Sequence, residues 1–112
     1  MNDINTVSLS GTLRTKVDIS EYKGLKIARF FMDVEGAGDQ KSSGNFKVVA
    51  FAELAEAAQN LTTGDRIVIV GALSARQARS KPEIEIRIRN LIRLPKKTEE
   101  EILSDFKVSE IE

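Results

Sequence analysis

Three segments of the chain alternate between apolar and polar residues, which is the pattern of half-buried β-strands. The alternation runs over Ile4–Val17, Leu25–Glu35 and Glu83–Leu94. Gly11 interrupts the first segment, and we expect a bulge or sharp bend there, as small barrels need at their corners. The polar segment Asp18–Gly24 between the first two is predicted to be a hairpin loop.

The central stretch Phe46–Leu73 shows a different sequence of patterns. Phe46–Phe51 is an apolar run rich in Val and Phe, which predicts a strand. Ile67–Val70 is β-branched throughout, which predicts a strand covered on both faces, by its own core and by a partner subunit. Between them, helical spacing predicts an amphipathic helix with its apolar positions at Leu54, Ala57, Ala58 and Leu61.

The predicted order is three strands, a helix and two strands. This is the layout of the oligonucleotide/oligosaccharide-binding (OB) barrel, so the fold class is all-β: a five-stranded OB barrel with one helix between strands three and four. Ser74–Pro82 carries three cations and no acid, and we expect a loop or an extended hairpin arm. The OB domain is predicted to span residues 1–95, followed by a short, flexible acidic tail over 96–112.

Composition excludes several classes of function. The chain has no His and no Cys, which removes the common nucleophilic triads and the usual zinc ligands, so we expect no enzyme, no metal and no cofactor. The N-terminus has no long apolar segment and the chain has no run of about eighteen apolar residues, so we expect a cytoplasmic protein without a membrane partner.

Charge is balanced overall but uneven along the chain. Lys plus Arg and Asp plus Glu both number 17, yet residues 1–94 hold 14 of the cations and 11 of the acids. The tail is acidic, and its negative charge offsets the positive charge of residues 1–94. The overall balance predicts no polyanion partner; a mildly basic body with an acidic tail describes the chain better than neutrality, although an ordinary solvated surface explains the same counts.

Several short motifs stand together in one order. They are Val7–Leu13, Ile27–Phe30, Val48-Val49-Ala50-Phe51, Leu54-Ala55-Glu56, Leu61-x-x-Gly64 and Val68-x-Val70-x-Ala72-Leu73. In this order and spacing the chain resembles the bacterial-type single-stranded DNA-binding protein (SSB) family, as a divergent member. The resemblance implies an OB barrel that binds single-stranded DNA with little sequence preference in replication, repair and recombination. It also implies a homotetramer or homodimer, replication or repair proteins as further partners, and no catalysis.

A single-strand binder needs cations for the phosphates and aromatic faces for the bases. Phe51 alone matches a base-stacking aromatic of the family, and Phe31 is a second candidate because it lies on an otherwise polar strand face. Tyr22 lies in the predicted loop and is a weaker candidate. Each candidate cation is also explained as a solvated surface charge; these cations are Arg14, Arg29, Lys47, Arg76, Arg79, Lys81, Arg87 and Arg89.

The chain departs from the family in two respects. It has no Trp, and the family's stacking Trp positions fall at Asn45 and Ala78. Its tail lacks the long linker and the terminal Pro-Phe motif through which the family recruits partners. Two alternatives therefore stay open: a primosomal-type OB accessory protein that acts mainly through protein contacts, and an OB scaffold without nucleic-acid binding.

Overall fold

The computed structural model describes residues 2–39 and 43–95. The predicted acidic tail over 96–112 lies outside these residues, so its flexibility stays a prediction. The elements in chain order are β1 (Val7–Leu13), β2 (Asp18–Tyr22), β3 (Leu25–Val34), β4 (Gly44–Phe51), α1 (Glu53–Gln59), β5 (Arg66–Ala78) and β6 (Lys81–Arg93). Across the described part of the chain, no helix has the length and apolar character needed to cross a membrane.

The strands form one sheet that closes on itself. Their order is β1-β5-β6-β4-β3-β2, and β1 also pairs with β3 at Thr12↔Asp33 and Leu13↔Met32. Strands β1, β5, β6, β4 and β3 therefore form a closed ring, in which β4 and β6 are parallel and the other pairs antiparallel. The predicted OB barrel is confirmed.

The predicted loop over Asp18–Gly24 is wrong in detail. Asp18–Tyr22 forms β2, which pairs with β3 from Asp18↔Arg29 to Tyr22↔Leu25, so only Lys23 and Gly24 make the turn. The helix consequently lies between the fourth and fifth strands. All five residues of β2 are exposed, so burial imposes no apolar alternation on them, and backbone pairing with β3 alone makes this segment a strand.

Two glycines allow close backbone contacts in the barrel. A Cβ at Gly11 would collide with the Asp33 carbonyl oxygen, at the place where β1 passes from β5 to β3. A Cβ at Gly71 would collide with the Arg87 carbonyl oxygen, next to the register shift between β5 and β6. The β1–β5 register runs through Gly11 without a shift, so the expected bulge is not found there; the glycine instead allows the close approach of β1 to β3 that closes the barrel.

Of the two possibilities for Ser74–Pro82, the structure shows the hairpin arm. Strands β5 and β6 pair continuously to Ala78↔Lys81, and only Arg79 and Ser80 form the turn. Below the arm, every strand of the ring and α1 contribute apolar side chains to the core. The largest fully buried apolar side chains are Leu13, Phe30, Met32, Val48, Ile67 and Ile69.

Ala52 connects β4 to α1 in a conformation that L-residues rarely adopt, with φ 56° and ψ −121°. Its N–H donates to the Lys26 carbonyl at 2.9 Å and its carbonyl accepts from the Glu56 N–H at 3.1 Å, so the turn is held by backbone hydrogen bonds. Such strain costs about 1–3 kcal/mol, whereas the greater flexibility of an unfolded glycine costs roughly 0.5–1 kcal/mol.

We therefore expect Ala52→Gly to raise the free energy of unfolding by about 1 kcal/mol, measured by urea denaturation. Ala57→Gly, at an exposed position inside α1, is the matched control and should lower it by about 1 kcal/mol. A loss of stability in both variants would show that the Ala52 backbone is not strained.

Candidate nucleic-acid interface

The outward-facing side chains of β3 and β4 form one continuous surface, which we call the β3–β4 face. The antiparallel register places Ile27 opposite Phe51, Arg29 opposite Val49 and Phe31 opposite Lys47, so these six side chains share one side of the sheet. The alternate residues point into the core, where Ala28, Phe30, Val48 and Ala50 are buried. The out-of-phase Phe31 of the sequence is thus an outward residue, 38% exposed.

Strand β6 extends this face beyond β4. Val49 pairs with Arg87, and the Arg87 guanidinium lies over the Phe51 ring at 4.4 Å from its centroid. This cation–π contact places a positive charge directly over the face of the aromatic ring. Arg89 donates to the Gly71 carbonyl at 3.3 Å and lines a shallow pocket with Phe51.

A second aromatic position lies further along the face. Phe31 borders a shallow hollow that is also lined by the cations Lys16, Arg29 and Lys47. Phe51 is four residues from Lys47 on the same strand, so the two Phe side chains are separated by about 13 Å along the strand direction. Tyr22, predicted to lie in a loop, instead ends β2 with the Lys23 ammonium 5.4 Å from its ring centroid.

Three of the predicted phosphate-binding cations are held in an ion network. Lys47 Nζ lies 3.1 Å from Glu83 Oε2, and Arg76 Nη2 lies 3.0 Å from the same oxygen. Arg76 Nε donates to Glu85 Oε1 at 2.6 Å, and Arg29 Nε donates to Glu85 Oε2 at 3.2 Å. The network joins β3, β4, β5 and β6, and it cancels two of the three positive charges at this part of the face.

The network also shifts the pKa values of two of its members, Glu83 and Arg76. The hydrogen bond from Lys47 is the largest cause of a lowered pKa at Glu83, followed by the attraction between the two charges. The hydrogen bond to Glu85 is the largest cause of a raised pKa at Arg76. Both shifts favour the charged forms of Glu83 and Arg76.

Sequence reasoning missed both glutamates as members of this site. Alternation in β6 places Glu83 and Glu85 in phase with Arg87. The sequence pattern therefore predicts that all three side chains lie on the same side of this strand. It does not reveal Lys47 as a neighbour, because the register of the parallel β4–β6 pair depends on tertiary structure alone.

The remaining predicted cations lie around this surface. Arg14 follows β1 and pairs with Asp33 at 3.3 Å, at the end of the face next to Phe31. Arg79 and Lys81 lie at the tip of the arm, and neither has an acidic partner within the part of the chain that the structure describes. The structure therefore gathers seven of the ten predicted residues on the face or at its border with β5 and β6: Arg29, Phe31, Lys47, Phe51, Arg76, Arg87 and Arg89.

The fold and this surface define an OB-barrel protein with aromatic and cationic side chains on its β3–β4 face. The profile of the single-strand binding protein family matches residues 4–92, and the chain belongs to this family. Members of the family are non-enzymatic DNA-binding proteins. A comparison with curated proteins gave no match.

Solved structures agree with the fold. The wild-type single-stranded DNA binding protein from Thermus aquaticus is 24% identical at a TM-score of 0.72, over 85% of this chain and 42% of that one. A deletion mutant of the same protein matches at a TM-score of 0.73, with 24% identity over 85% and 43% of the two chains. The present chain thus spans less than half of the Thermus protein. The dimeric N-terminal domain of PriB from Thermoanaerobacter tencongensis is 26% identical at a TM-score of 0.67, over 82% of this chain and 98% of that one.

Proposed function

We propose that this protein binds single-stranded DNA with little sequence preference through the β3–β4 face and the β5–β6 arm. The observation that carries the proposal is the Arg87 guanidinium over the outward-facing Phe51 ring. The stacked pair offers a planar cationic surface for a base, and its charge can meet the adjoining phosphate. In an OB barrel, the sheet formed by the second and third strands of the ring is the usual place for an oligonucleotide, and it corresponds here to β3 and β4.

The charges and aromatics set the expected character of this binding. Two Phe side chains lie on the face, so base stacking contributes little to the affinity. Three nearby cations share two glutamates, so the contribution of unpaired cations to the affinity is moderate. Arg79 and Lys81 at the arm tip add positive charge that can follow the DNA backbone. We therefore propose modest affinity with a steep dependence on salt.

Family membership supports the wider parts of the proposal. We propose that the protein acts in replication, repair or recombination in the cytoplasm, as a homodimer or homotetramer, with other proteins of these processes as partners. Residues 1–95 serve as the DNA-binding domain, and 96–112 as a separate acidic segment. The half-buried Val68 and Val70 on the outer side of β5 are the residues that we assign to subunit contact.

A second candidate is a primosomal-type accessory role with weak DNA binding and mainly protein contacts. The similarity to the dimeric PriB domain favours it, since the present chain covers 98% of that domain. An OB scaffold without DNA binding is the third alternative, and it has no observation of its own in its favour.

Anisotropy of fluorescein-labelled oligo-dT with the full chain tests the proposal. We expect saturable binding at low salt that weakens by roughly tenfold or more between 50 and 200 mM NaCl, because several phosphates exchange their counterions for protein cations. Weak binding with a shallow salt dependence favours the accessory role. Absence of binding at 50 mM NaCl would rule out a DNA-binding function and leave the scaffold.

A further inference from the structure

The Glu83 carboxylate lies between two cations that the proposed function needs. One oxygen, Oε2, accepts from Lys47 Nζ at 3.1 Å and lies 3.0 Å from Arg76 Nη2. Phosphate oxygens bind Lys and Arg at the same distances and with the same donors. The position of Glu83 Oε2 therefore marks a place where the two side chains can hold a phosphate oxygen.

The neighbouring Glu85 has a different character. It is 3% exposed and hydrogen-bonded to both Arg29 and Arg76, so its buried carboxylate cannot move without breaking both of these contacts. The Glu83 side chain is 40% exposed and lies at the base of the arm, so it can turn into solvent and be hydrated there. Glu83 is thus the member of the network that a ligand can replace.

We propose that Lys47 and Arg76 form a phosphate-binding subsite that Glu83 occupies in the unliganded protein, and that the backbone of single-stranded DNA displaces Glu83 on binding. This inference rests on the proposed function and specifies one contact within it. Glu85 keeps Arg76 oriented while the exchange takes place. Glu83 lowers the affinity for any polyanion, so a ligand that also stacks bases on Phe31 and Phe51 is favoured over one that offers phosphates alone.

Displacement, rather than protonation, vacates the subsite near neutral pH. The groups around the Glu83 carboxylate are Lys47 on β4, Arg76 on β5 and Glu85 on β6, with Arg29 on β3 beyond Glu85. The two contacting cations lower the pKa of Glu83, which favours its charged form. Mild acidification alone therefore leaves Glu83 in place.

The test is Glu83→Gln in the full chain, measured by anisotropy of fluorescein-labelled oligo-dT over a range of NaCl concentrations. The neutral amide competes poorly for the two cations, so we expect about tenfold tighter binding than wild type at moderate salt. We also expect the logarithmic salt slope to steepen by about 0.7 for each phosphate gained. Adding Lys47→Ala to Glu83→Gln should abolish most of this gain, because one side of the subsite is then missing.

Glu56→Gln is the matched control, because it removes the same charge from the exposed outer side of α1. If it tightens binding as much as Glu83→Gln, net charge explains the gain and the inference is wrong. If wild type binds but Glu83→Gln binds equally or more weakly, the subsite is wrong while the proposed function stands. If neither binds at low salt, both are overturned.

Discussion

We expect Phe51→Ala to weaken the binding of oligo-dT between about fivefold and a hundredfold, because a base stacked on an aromatic side chain contributes about 1–3 kcal/mol. The substitution removes the ring under the Arg87 guanidinium, so the flat surface and the position of the cation are lost together. Phe51→Trp keeps a larger flat surface and should preserve or tighten binding. Anisotropy titrations at one fixed salt concentration measure both effects.

Ile84→Ala is the control for this comparison. Ile84 is a large apolar side chain, 69% exposed, and it lies in phase with the core residues Ile86 and Ile88, away from the side of Glu83 and Glu85. Its removal should leave affinity within about twofold of wild type. Equal affinity of Phe51→Ala and wild type would show that Phe51 is not a stacking surface, and an equal loss in both variants would point to a general loss of structure.

We expect Phe30→Ala to lower the free energy of unfolding by about 3–5 kcal/mol, a large share of the 5–15 kcal/mol typical of a domain. Phe30 is 2% exposed and pairs across β3 and β4 with the fully buried Val48, so its removal leaves a cavity in the barrel core. Urea denaturation followed by circular dichroism measures the loss. Should Phe30→Ala fail to fold, Phe30→Leu is measurable, with an expected loss of about 1 kcal/mol.

The adjacent Phe31 provides the contrast, because successive strand residues point to opposite faces. Phe31→Ala should cost less than about 1 kcal/mol of stability, since the ring is partly in solvent. It should instead weaken oligo-dT binding by severalfold. Reversed results, with Phe31→Ala unstable and Phe30→Ala stable, would mean that the assignment of faces in β3 is wrong.

Local pattern was sufficient for most of the barrel. Alternation in Leu25–Glu35 assigned Phe30 to one side and Phe31 to the other, and the β-branched run Ile67–Val70 identified β5. The sequence marks Gly11 as special because a glycine weakens a strand interior, and the structure shows the reason: only a residue without a Cβ allows β1 to approach Asp33. These features are readable since burial constrains each residue according to the period of its own element.

The hydrophobic pattern did not predict a strand whose residues are all exposed, because burial imposes no constraint on them. The segment Asp18–Tyr22 is exposed at every residue, so its sequence has the composition of a loop although its backbone pairs with β3. Its structure depends on the open edge that β3 offers, which is a property of the assembled sheet.

The features of the candidate site also divide into those that the sequence predicts and those that depend on the tertiary structure. The sequence by itself determined which residues point outward on β3 and β4, and it put Lys47 and Phe51 on one side of β4. The β3–β4 register of the structure adds Phe31 to that face, opposite Lys47. Only the tertiary structure decided that Arg87 covers Phe51 and that Glu83 holds Lys47, because both contacts cross the parallel β4–β6 pair. The physical reason is that side-chain phase repeats every two residues within a strand, whereas register between strands distant in sequence follows from packing the whole barrel.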